Sequence, residues 1–307
     1  MALSIYTSSS SMSAINSMNK SNSLLSTAMQ RLGTGKRINS AADDAAGLQI
    51  ASRLTSQTNG MAVAKRNISD ATSMLQTAEG AFDEMSNIMY RMKDLATQAA
   101  NDTNTAEDRK AINSELNALN SELKNIISNT SYAGEHLFMD GAAASGASGG
   151  NVKFDHELTF QIGNGTGEVM TLDLSKDLDA LFDPSTGIIG VGGWDQTGTS
   201  GASGAPAGLD ITDVDTAHKL MDGLETALAN VGSIRANLGA SINRLGHTAA
   251  NLANMQDNAT VALGNLTDAD YAAEATNMTR NQMLAQTSMS MLKQSNSMSG
   301  MVMSLLQ

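Results

Sequence analysis

The sequence contains no cysteine, two prolines and only 3% aromatic residues among its 307 residues. The lack of cysteine excludes disulfides and thiolate metal sites, and the scarcity of aromatic residues argues against a bulky aromatic core. No stretch approaches the roughly 18 consecutive apolar residues that a membrane-spanning helix requires. The chain also begins without the basic and apolar regions of a secretory signal. We therefore expect neither membrane insertion nor export by the general secretory route.

The net charge of −12 is unevenly distributed along the chain. Residues 140–215 hold 12 Asp or Glu and two Lys, whereas Lys20 is the only charged residue among the first 30 and Lys293 the only one from 281 to 307. A nucleic-acid-binding protein would show a basic stripe, and the sequence has none. We expect the acidic middle to be solvated and the almost uncharged ends to be covered by other protein.

The chain is rich in residues that favour helices, namely Ala, Leu and an unusual 20 Met. Apolar residues recur at alternating steps of three and four from residue 47 to residue 99, which predicts a long coiled-coil helix. The positions of this first seam are Gly47, Ile50, Leu54, Gln57, Met61, Ala64, Ile68, Ala71, Leu75, Ala78, Phe82, Met85, Met89, Met92, Ala96 and Ala99.

Two further segments show the same spacing. One starts after Thr105 and Asp108, an acidic variant of the capping box, and its seam is Ile112, Leu116, Leu119, Leu123 and Ile126. The other seam is interrupted by Arg235 and Gln256. Its apolar positions are Ala217, Met221, Leu224, Leu228, Val231, Leu238, Ile242, Leu245, Ala249, Leu252, Ala259, Leu263 and Leu266.

Both ends of the chain repeat the pattern more weakly, because polar residues interrupt it. Each end would be marginal as an isolated helix in water, so we expect the two ends to pair with each other. The apolar positions are Ile15, Met18, Leu25, Met29 and Leu32 at the N-terminal end, and Leu284, Met291, Met298, Val302 and Leu305 at the C-terminal end.

The middle of the chain is different in character. Residues 158–174 alternate polar and apolar side chains around Asn-Gly-Thr-Gly, which predicts a β-hairpin. Residues 141–150 and 197–208 are Gly-, Ser- and Ala-rich segments that we expect to be flexible. The predicted fold class is therefore mainly α: a long antiparallel helical coiled-coil hairpin with paired termini and a small β-rich insert.

The candidate catalytic motifs are each explained better by local structure. Asp43 and Asp44 directly precede the first seam, and the helix dipole favours acidic residues there, so we interpret the pair as a helix start. His156 opens an HExxH-like stretch, but Phe160 replaces its second metal ligand. The Gly-rich stretch 163–167 lacks the Lys-Ser/Thr of a phosphate-binding loop. We expect no active site, no metal and no cofactor.

Three stretches of the sequence carry a family resemblance. They are "RLGTGKRINSAADDAAGLQIASRL" (31–54), "QTAEGAFDEMSNIMYRMKDLATQAAN" (76–101) and "LTDADYAAEATNMTRNQMLAQTSMSMLKQSNSMSGMVMSLLQ" (266–307). They resemble the bacterial flagellins, in particular a short flagellin of the lateral type. With the helix around "RANLGASINRL" (235–245), the resemblance covers nearly everything outside residues 175–208.

The resemblance implies a structural subunit that polymerises into the helical flagellar filament, the propeller for motility, and not an enzyme. Residues 1–45 and 264–307 would pair as the filament core, residues 46–174 and 209–263 would form a rod, and residues 175–208 a reduced outer domain. Two alternatives stay open. A hook–filament junction protein shares the terminal segments, and a cytoplasmic chemoreceptor signalling hairpin shares the Met-rich heptads but lacks a β insert.

The same resemblance implies the partners and the location. The partners would be further copies of this chain, an export chaperone on the C-terminal segment, and the filament cap and hook-junction proteins. No nucleic acid and no membrane insertion are implied. The protein would be extracellular, reaching the flagellum through the flagellar type III export channel without a cleaved signal peptide.

Two functional surfaces are also implied by the resemblance. In flagellins that an animal innate immune receptor detects, an Arg, a Leu and a Glu form the contact, and the matching positions here are Arg91, Leu95 and Glu115. All three lie outside the predicted seams, so we expect them to be free for a partner. A shape switch of the filament would lie at the predicted hairpin, whose turn residues Gly163, Gly165 and Gly167 are backbone-permissive.

Overall fold

The computed structural model describes residues 9–138, 152–182, 211 and 214–306, with side chains for all of these except 179, 182 and 299–306. The chain is mainly α, as predicted. It divides into two compact units, Met1–Asn59 with Met255–Gln307, and Gly60–Asn254. The low-complexity segments 141–150 and 197–208 lie outside the described residues, and so does most of the expected outer domain.

The described residues form mainly long helices, and two small antiparallel strand pairs follow one another in the middle of the chain. The helices are α1 (Ser9–Thr34), α2 (Ala45–Ala99), α3 (Ala106–Asn129), α4 (Ser175–Phe182), α5 (Val214–Thr267) and α6 (Tyr271–Leu306). Strand β1 (Ser131–Tyr132) pairs with β2 (Glu135–His136), and β3 (Leu158–Gln161) pairs with β4 (Val169–Leu172). A 3₁₀ turn at Lys153–Asp155 precedes β3.

Helix α2 begins at a cap made by Asp44. The Asp44 Oδ1 atom accepts a hydrogen bond from the Gly47 amide at 2.8 Å, which satisfies one of the free N–H groups of the first turn. The Asp43 Oδ2 atom instead accepts hydrogen bonds from the amides of Asn39 and Ser40 in the preceding loop. The prediction that this pair starts a helix is confirmed, and Asp43 orders the loop in front of that start.

The predicted seam of α2 is confirmed within the second unit. All positions of the seam from Met61 to Ala99 are buried. The earlier part of the seam behaves differently, because Ile50 is 47% exposed and Gln57 is also exposed. The neighbouring Ala51 is buried instead. In the first turns of α2 the small residue Ala51 is therefore packed, and the larger Ile50 remains at the surface.

The buried positions of α3 are predicted only in part, although the residue at which the helix begins is predicted correctly. Thr105 and Asp108 form the expected reciprocal capping box. The predicted Leu119 and Ile126 are half-buried, and the residue after each is buried. The buried positions of α3 are Ile112, Leu116, Asn120, Leu123 and Ile127.

From Ala217 to Leu252 the predicted seam of α5 is correct at every second position and wrong at those between, and the later predicted positions Ala259, Leu263 and Leu266 are only half-buried. Met221, Leu228 and Ile242 are half-buried, and in each case the residue one position earlier is the buried one. Arg235 therefore does not interrupt the seam, because its Nη2 atom lies at the surface, 2.9 Å from Asp83 Oδ1 on α2. The buried positions of α5 include Ala217, Leu220, Leu224, Ala227, Val231, Ile234, Leu238, Ser241, Leu245 and Leu252.

The predicted β-hairpin is confirmed as β3 and β4. Leu158 pairs with Leu172 and Phe160 with Met170 in an antiparallel register. Leu158, Met170 and Leu172 are buried, so one face of the hairpin packs into the core of the second unit, to which the hairpin belongs. The side-chain amide of Asn67, on α2, donates a hydrogen bond to the backbone carbonyl of Gln161 at 3.4 Å. These contacts position the hairpin loop (residues 162–168) beside α2.

Candidate functional site

The two terminal helices form an antiparallel pair, as expected from the sequence. At one end of the pair, Arg31 Nη1 on α1 donates to Glu274 Oε1 on α6 at 2.9 Å. At the other end, the hydroxyls of Ser11 and Ser295 lie 2.9 Å apart. From the first of these contacts to the second, the residue numbers fall along α1 and rise along α6, so the two helices run antiparallel.

The seam between α1 and α6 is built mainly from small and polar residues. Among the described side chains of the pair, four are buried, namely Ser21, Ala28, Glu274 and Asn281. Further half-buried positions at helical spacing are Ala14, Met18, Leu25, Leu32, Met278, Ala285, Ser288 and Leu292. Small side chains allow the two backbones to approach closely, but they bury little apolar area.

Several residues predicted for this seam lie outside it. The prediction is wrong because the small residues Ala14, Ser21 and Ala28 pack at the interface, and the larger residues that follow Ala14 and Ala28 remain exposed. Met18, Leu25 and Leu32 are half-buried, whereas the side chains of Val302 and Leu305 lie outside the described part of the chain. The exposed residues, called the outward apolar residues below, are Ile15, Met29, Leu284, Met291 and Met298.

The bends at the ends of these helices are joined by hydrogen bonds. Gly35 ends α1 in the left-handed region, at a φ of 69°, and its carbonyl accepts the Ala269 amide at 2.9 Å. The Arg37 amide donates to the Thr267 carbonyl at 2.7 Å, and its guanidinium donates to the carbonyl of Leu266 at 3.0 Å. The segment leaving α1 is therefore fixed to the segment entering α6.

The three positions matched to the innate-receptor contact are not equally available. Arg91 Nη2 and Glu115 Oε1 form a 2.7 Å ion pair, and both side chains are about half exposed. Leu95 is only 3% exposed, because the buried face of α2 is wider than the predicted seam and also contains Met74 and Ser86. The expectation that Leu95 is free for a partner is therefore wrong.

The hairpin loop is organised by two side chains and not by glycine conformations. Gln161 Nε2 donates to the carbonyls of Gly163, Gly165 and Glu168. The Glu168 side chain accepts the Gly165 amide at 2.8 Å. Among the described glycines only Gly35 and Gly134 have positive φ, so the expected left-handed freedom of Gly163, Gly165 and Gly167 is not used.

Among the described residues, three carboxyl groups have a pKa below the ordinary value, and each one caps a turn. The Ser40 and Asn39 amides lower the pKa of Asp43. The Thr105 hydroxyl and amide lower that of Asp108, and the hydroxyl and amide of Ser175 lower that of Asp173. These shifts arise from local hydrogen bonding to the charged form, and they mark structural caps.

The described part of the chain contains no group of three His, Asp or Glu side chains that could hold a metal ion. Among the described helices, none has an apolar stretch long enough to cross a membrane.

Sequence reasoning missed two features that position these elements. One is the ion pair of Arg31 and Glu274, which joins positions far apart in sequence. The other is Gly60 on α2, where a Cβ would overlap the Asn164 side chain of the hairpin loop. The only sequence signal for Gly60 was a glycine inside a long helical pattern, which often indicates close packing.

Comparisons with known proteins agree with this architecture. Residues 5–143 match the family described as the bacterial flagellin N-terminal helical region, and residues 221–306 match the bacterial flagellin C-terminal helical region. The solved structure of a protein described as flagellar hook-associated, from Vibrio parahaemolyticus, covers 74% of this chain and 100% of its own, with a TM-score of 0.55. At 15% identity, that similarity shows the fold alone.

Curated relatives match this chain over its whole length. Flagellin A of Vibrio anguillarum is 36% identical over 379 residues, and polar flagellin C of Vibrio parahaemolyticus is 34% identical over 397, each covering 100% of both chains. Both alignments are longer than this chain, so the relatives contain residues that it lacks. The full-length identity favours a filament subunit over the junction protein and the signalling hairpin. The chain therefore belongs to the bacterial flagellin family and is a structural subunit of the flagellar filament.

Proposed function

We propose that the outward apolar residues of α1 and α6 form the surface that neighbouring copies bury when the filament assembles. The observation that carries this proposal is the division of side chains in the terminal pair. The seam takes small residues such as Ser21 and Ala28, while Met29 and Met291 remain 52% and 63% exposed. An exposed apolar surface of this kind is typical of a protein interface.

The energetics favour association through these residues. Burying one exposed Leu, Ile or Met side chain contributes about 1.5–3 kcal/mol, and each subunit would bury several on both helices. A groove between α1 and α6, lined in part by Ser13, Ser17, Met291 and Met298, offers space for side chains of another copy. The low charge of both ends removes the desolvation cost that charged groups would add.

The test introduces one charge on the proposed surface. Leu284→Asp places a carboxylate at an outward apolar residue that is 48% exposed in the monomer. We expect the monomer to keep its helical circular-dichroism spectrum and seeded polymerisation to fail, because assembly would bury an unpaired charge.

The matched control is Gln282→Asp, which places the same side chain on the same helix. By helical spacing Gln282 lies on the face of α6 that already carries Lys293, and it is exposed. This variant should still form filaments when examined by negative-stain electron microscopy. Normal filaments from Leu284→Asp protein would refute the proposed surface.

Membership in the flagellin family supports the domain roles expected from the sequence. Residues 1–45 and 264–307 would form the core of the filament, residues 46–174 and 209–263 the surrounding rod, and residues 175–208 a reduced outer domain. Cap and hook-junction proteins would contact the same terminal segments. The β3–β4 hairpin would act as the shape switch of the filament.

Before assembly, the exposed apolar residues of α6 would have to be covered during export. We propose that a flagellar export chaperone binds the C-terminal segment, residues 270–307, and that the chain then passes through the flagellar type III channel. Support comes from Met283, Leu284 and Met289, which are each about half exposed on α6. Deleting residues 270–307 should abolish co-purification with the chaperone, whereas Gln282→Asp should not.

An innate-receptor contact is proposed for Arg91 and Glu115 without Leu95. Both charged side chains are accessible, but each is already paired with the other across 2.7 Å. A receptor would therefore have to bind the pair as a unit. Unchanged receptor signalling by an Arg91→Ala, Glu115→Ala monomer would rule this contact out.

A further inference from the structure

We infer that Asn164 is a site of spontaneous deamidation, the conversion of an asparagine side chain to aspartate or isoaspartate. The inference depends on the local chemistry of the hairpin loop and not on the proposed assembly surface. The sequence contains the dipeptide Asn-Gly twice, at 59–60 and at 164–165. The structure places these two copies in opposite environments.

The reaction needs only the chain itself and water. The backbone nitrogen of the residue after Asn loses its proton and attacks the side-chain Cγ, a new N–Cγ bond forms, and the Cγ–Nδ2 bond breaks to release ammonia. Water then opens the resulting succinimide ring at either carbonyl, which gives aspartate or isoaspartate. Glycine in the following position favours the attack, because it has no Cβ to obstruct the approach.

The copy at Asn59–Gly60 is protected by the helix that contains it. Both residues lie within α2, which continues for many residues on either side. The Gly60 amide is therefore part of the helical hydrogen-bond ladder. Ring closure would require a backbone rotation that a helix interior does not permit without local unfolding.

The copy at Asn164–Gly165 lacks this protection. Both residues are exposed and lie in the hairpin loop, outside β3 and β4. The Gly165 amide is held by a surface carboxylate, Glu168 Oε2 at 2.8 Å, and not by a helix or strand ladder. In the described part of the chain no hydrogen bond holds the Asn164 side chain, which lies against Gly60 on α2. Its carboxamide is thus available to the Gly165 nitrogen.

Deamidation would change the loop in two ways. A new carboxylate would be created on the residue next to Gly165, whose amide the Glu168 carboxylate holds, and like charges within one short loop repel. The isoaspartate product also inserts one extra carbon into the backbone, which would displace the carbonyls that Gln161 Nε2 binds. The modification would therefore loosen the hairpin loop from its present geometry.

Peptide mass spectrometry tests the inference on the intact chain. Trypsin releases residues 54–65 with Asn59 as their only asparagine and residues 154–176 with Asn164 as theirs. The folded monomer is incubated at mildly alkaline pH, and deamidation of each peptide is followed over time with isoaspartate detected by methyltransferase labelling. We expect Asn164 to react about tenfold faster than Asn59 or more, since the helix must open locally before Asn59 can react.

Two controls make the result decisive. In concentrated urea both copies should react at similar rates, because the dipeptide is then the same in both peptides. In the folded chain, Gly165→Ala should slow the reaction at residue 164 by obstructing the attack, and Asn59 should be unaffected. An unmodified Asn164 in folded protein under conditions that deamidate it in urea would overturn the inference, as would equal rates at the two sites in the folded protein.

Discussion

Arg31 and Glu274 are joined across the two terminal helices by a 2.9 Å ion pair in which the side chains are only 27% and 12% exposed. The Arg31 Nε atom is buried and has no hydrogen-bond partner in the described structure. Glu274 is therefore the ion-pair partner that compensates the positive charge of this guanidinium, to which the Asp43 carboxylate adds a weaker attraction. The pair fixes the register of α1 against α6 at this end of the seam.

Breaking this pair should destabilise the monomer more than breaking a surface pair does. A double-mutant cycle with Arg31→Met and Glu274→Gln should give a coupling free energy of about 1–3 kcal/mol in urea unfolding, because one partner alone would remain partly buried and unpaired. The control pair is Lys93 and Glu225, whose side chains are more exposed. Its coupling should not exceed about 1 kcal/mol, and equal couplings for the two pairs would contradict the prediction.

Two glycines of α2 should respond in opposite ways to alanine. A Cβ at Gly47 would lie within 2.7 Å of an Ile38 methyl and close to the Asp44 cap, whereas a Cβ at Gly80 meets nothing. Gly47→Ala should therefore lower the free energy of unfolding by about 1–2 kcal/mol through damage to the cap, and Gly80→Ala should raise it by up to ~1 kcal/mol. Thermal unfolding followed by circular dichroism measures both, and stabilisation by Gly47→Ala would show that the cap tolerates a Cβ.

The Asp43 carboxyl should contribute to stability in a defined pH range. The Ser40 and Asn39 amides hold its pKa below the ordinary 3.8, so the folded state binds fewer protons there than the unfolded state. The stability that Asp43 contributes is fully present above pH 3.8, and it is lost as the pH falls through the lower pKa of the folded state. Asp43→Asn should reduce the urea midpoint at neutral pH and flatten the acid decline, and an unchanged acid profile would contradict this.

The sequence predicted the helices better than it predicted their faces. Three-and-four spacing identifies a heptad but not always its phase, since 220/224 and 221/224 both satisfy it on α5. Packing decides between them, and Ile234 was buried in preference to Arg235 because the guanidinium can pair with Asp83 at the surface. The same ambiguity placed Ile15 and Met29 in a seam that Ala14 and Ala28 occupy.

The phase of α5 can be tested with two isoleucines of one helix. Ile234 is fully buried, whereas Ile242, predicted for the seam, is half-buried. Ile234→Ala should cost about 2–4 kcal/mol in urea unfolding because it leaves a cavity, and Ile242→Ala about 1 kcal/mol. A larger loss at Ile242 would restore the predicted phase.

The hairpin loop offers a matched pair of glycines for testing its proposed role as the filament's shape switch. A Cβ at Gly163 would overlap the Glu168 side chain, whereas a Cβ at Gly165 would meet that side chain at an ordinary 3.4 Å. Gly163→Val should displace Glu168, whose carbonyl accepts a hydrogen bond from the Ile162 amide and whose amide donates one to the Gly165 carbonyl. Gly165→Val should leave these bonds in place.

If the hairpin biases the subunit between two discrete packings, the two variants should differ in filament shape and not in assembly. Gly163→Val should polymerise into straight or otherwise altered filaments that respond weakly to changes of pH and salt in dark-field microscopy. Gly165→Val should form filaments of normal curvature and normal response. The loop would lose its proposed role if Gly163→Val filaments kept the normal curvature and response, because a rearranged Glu168 would then have no effect on the state of the subunit.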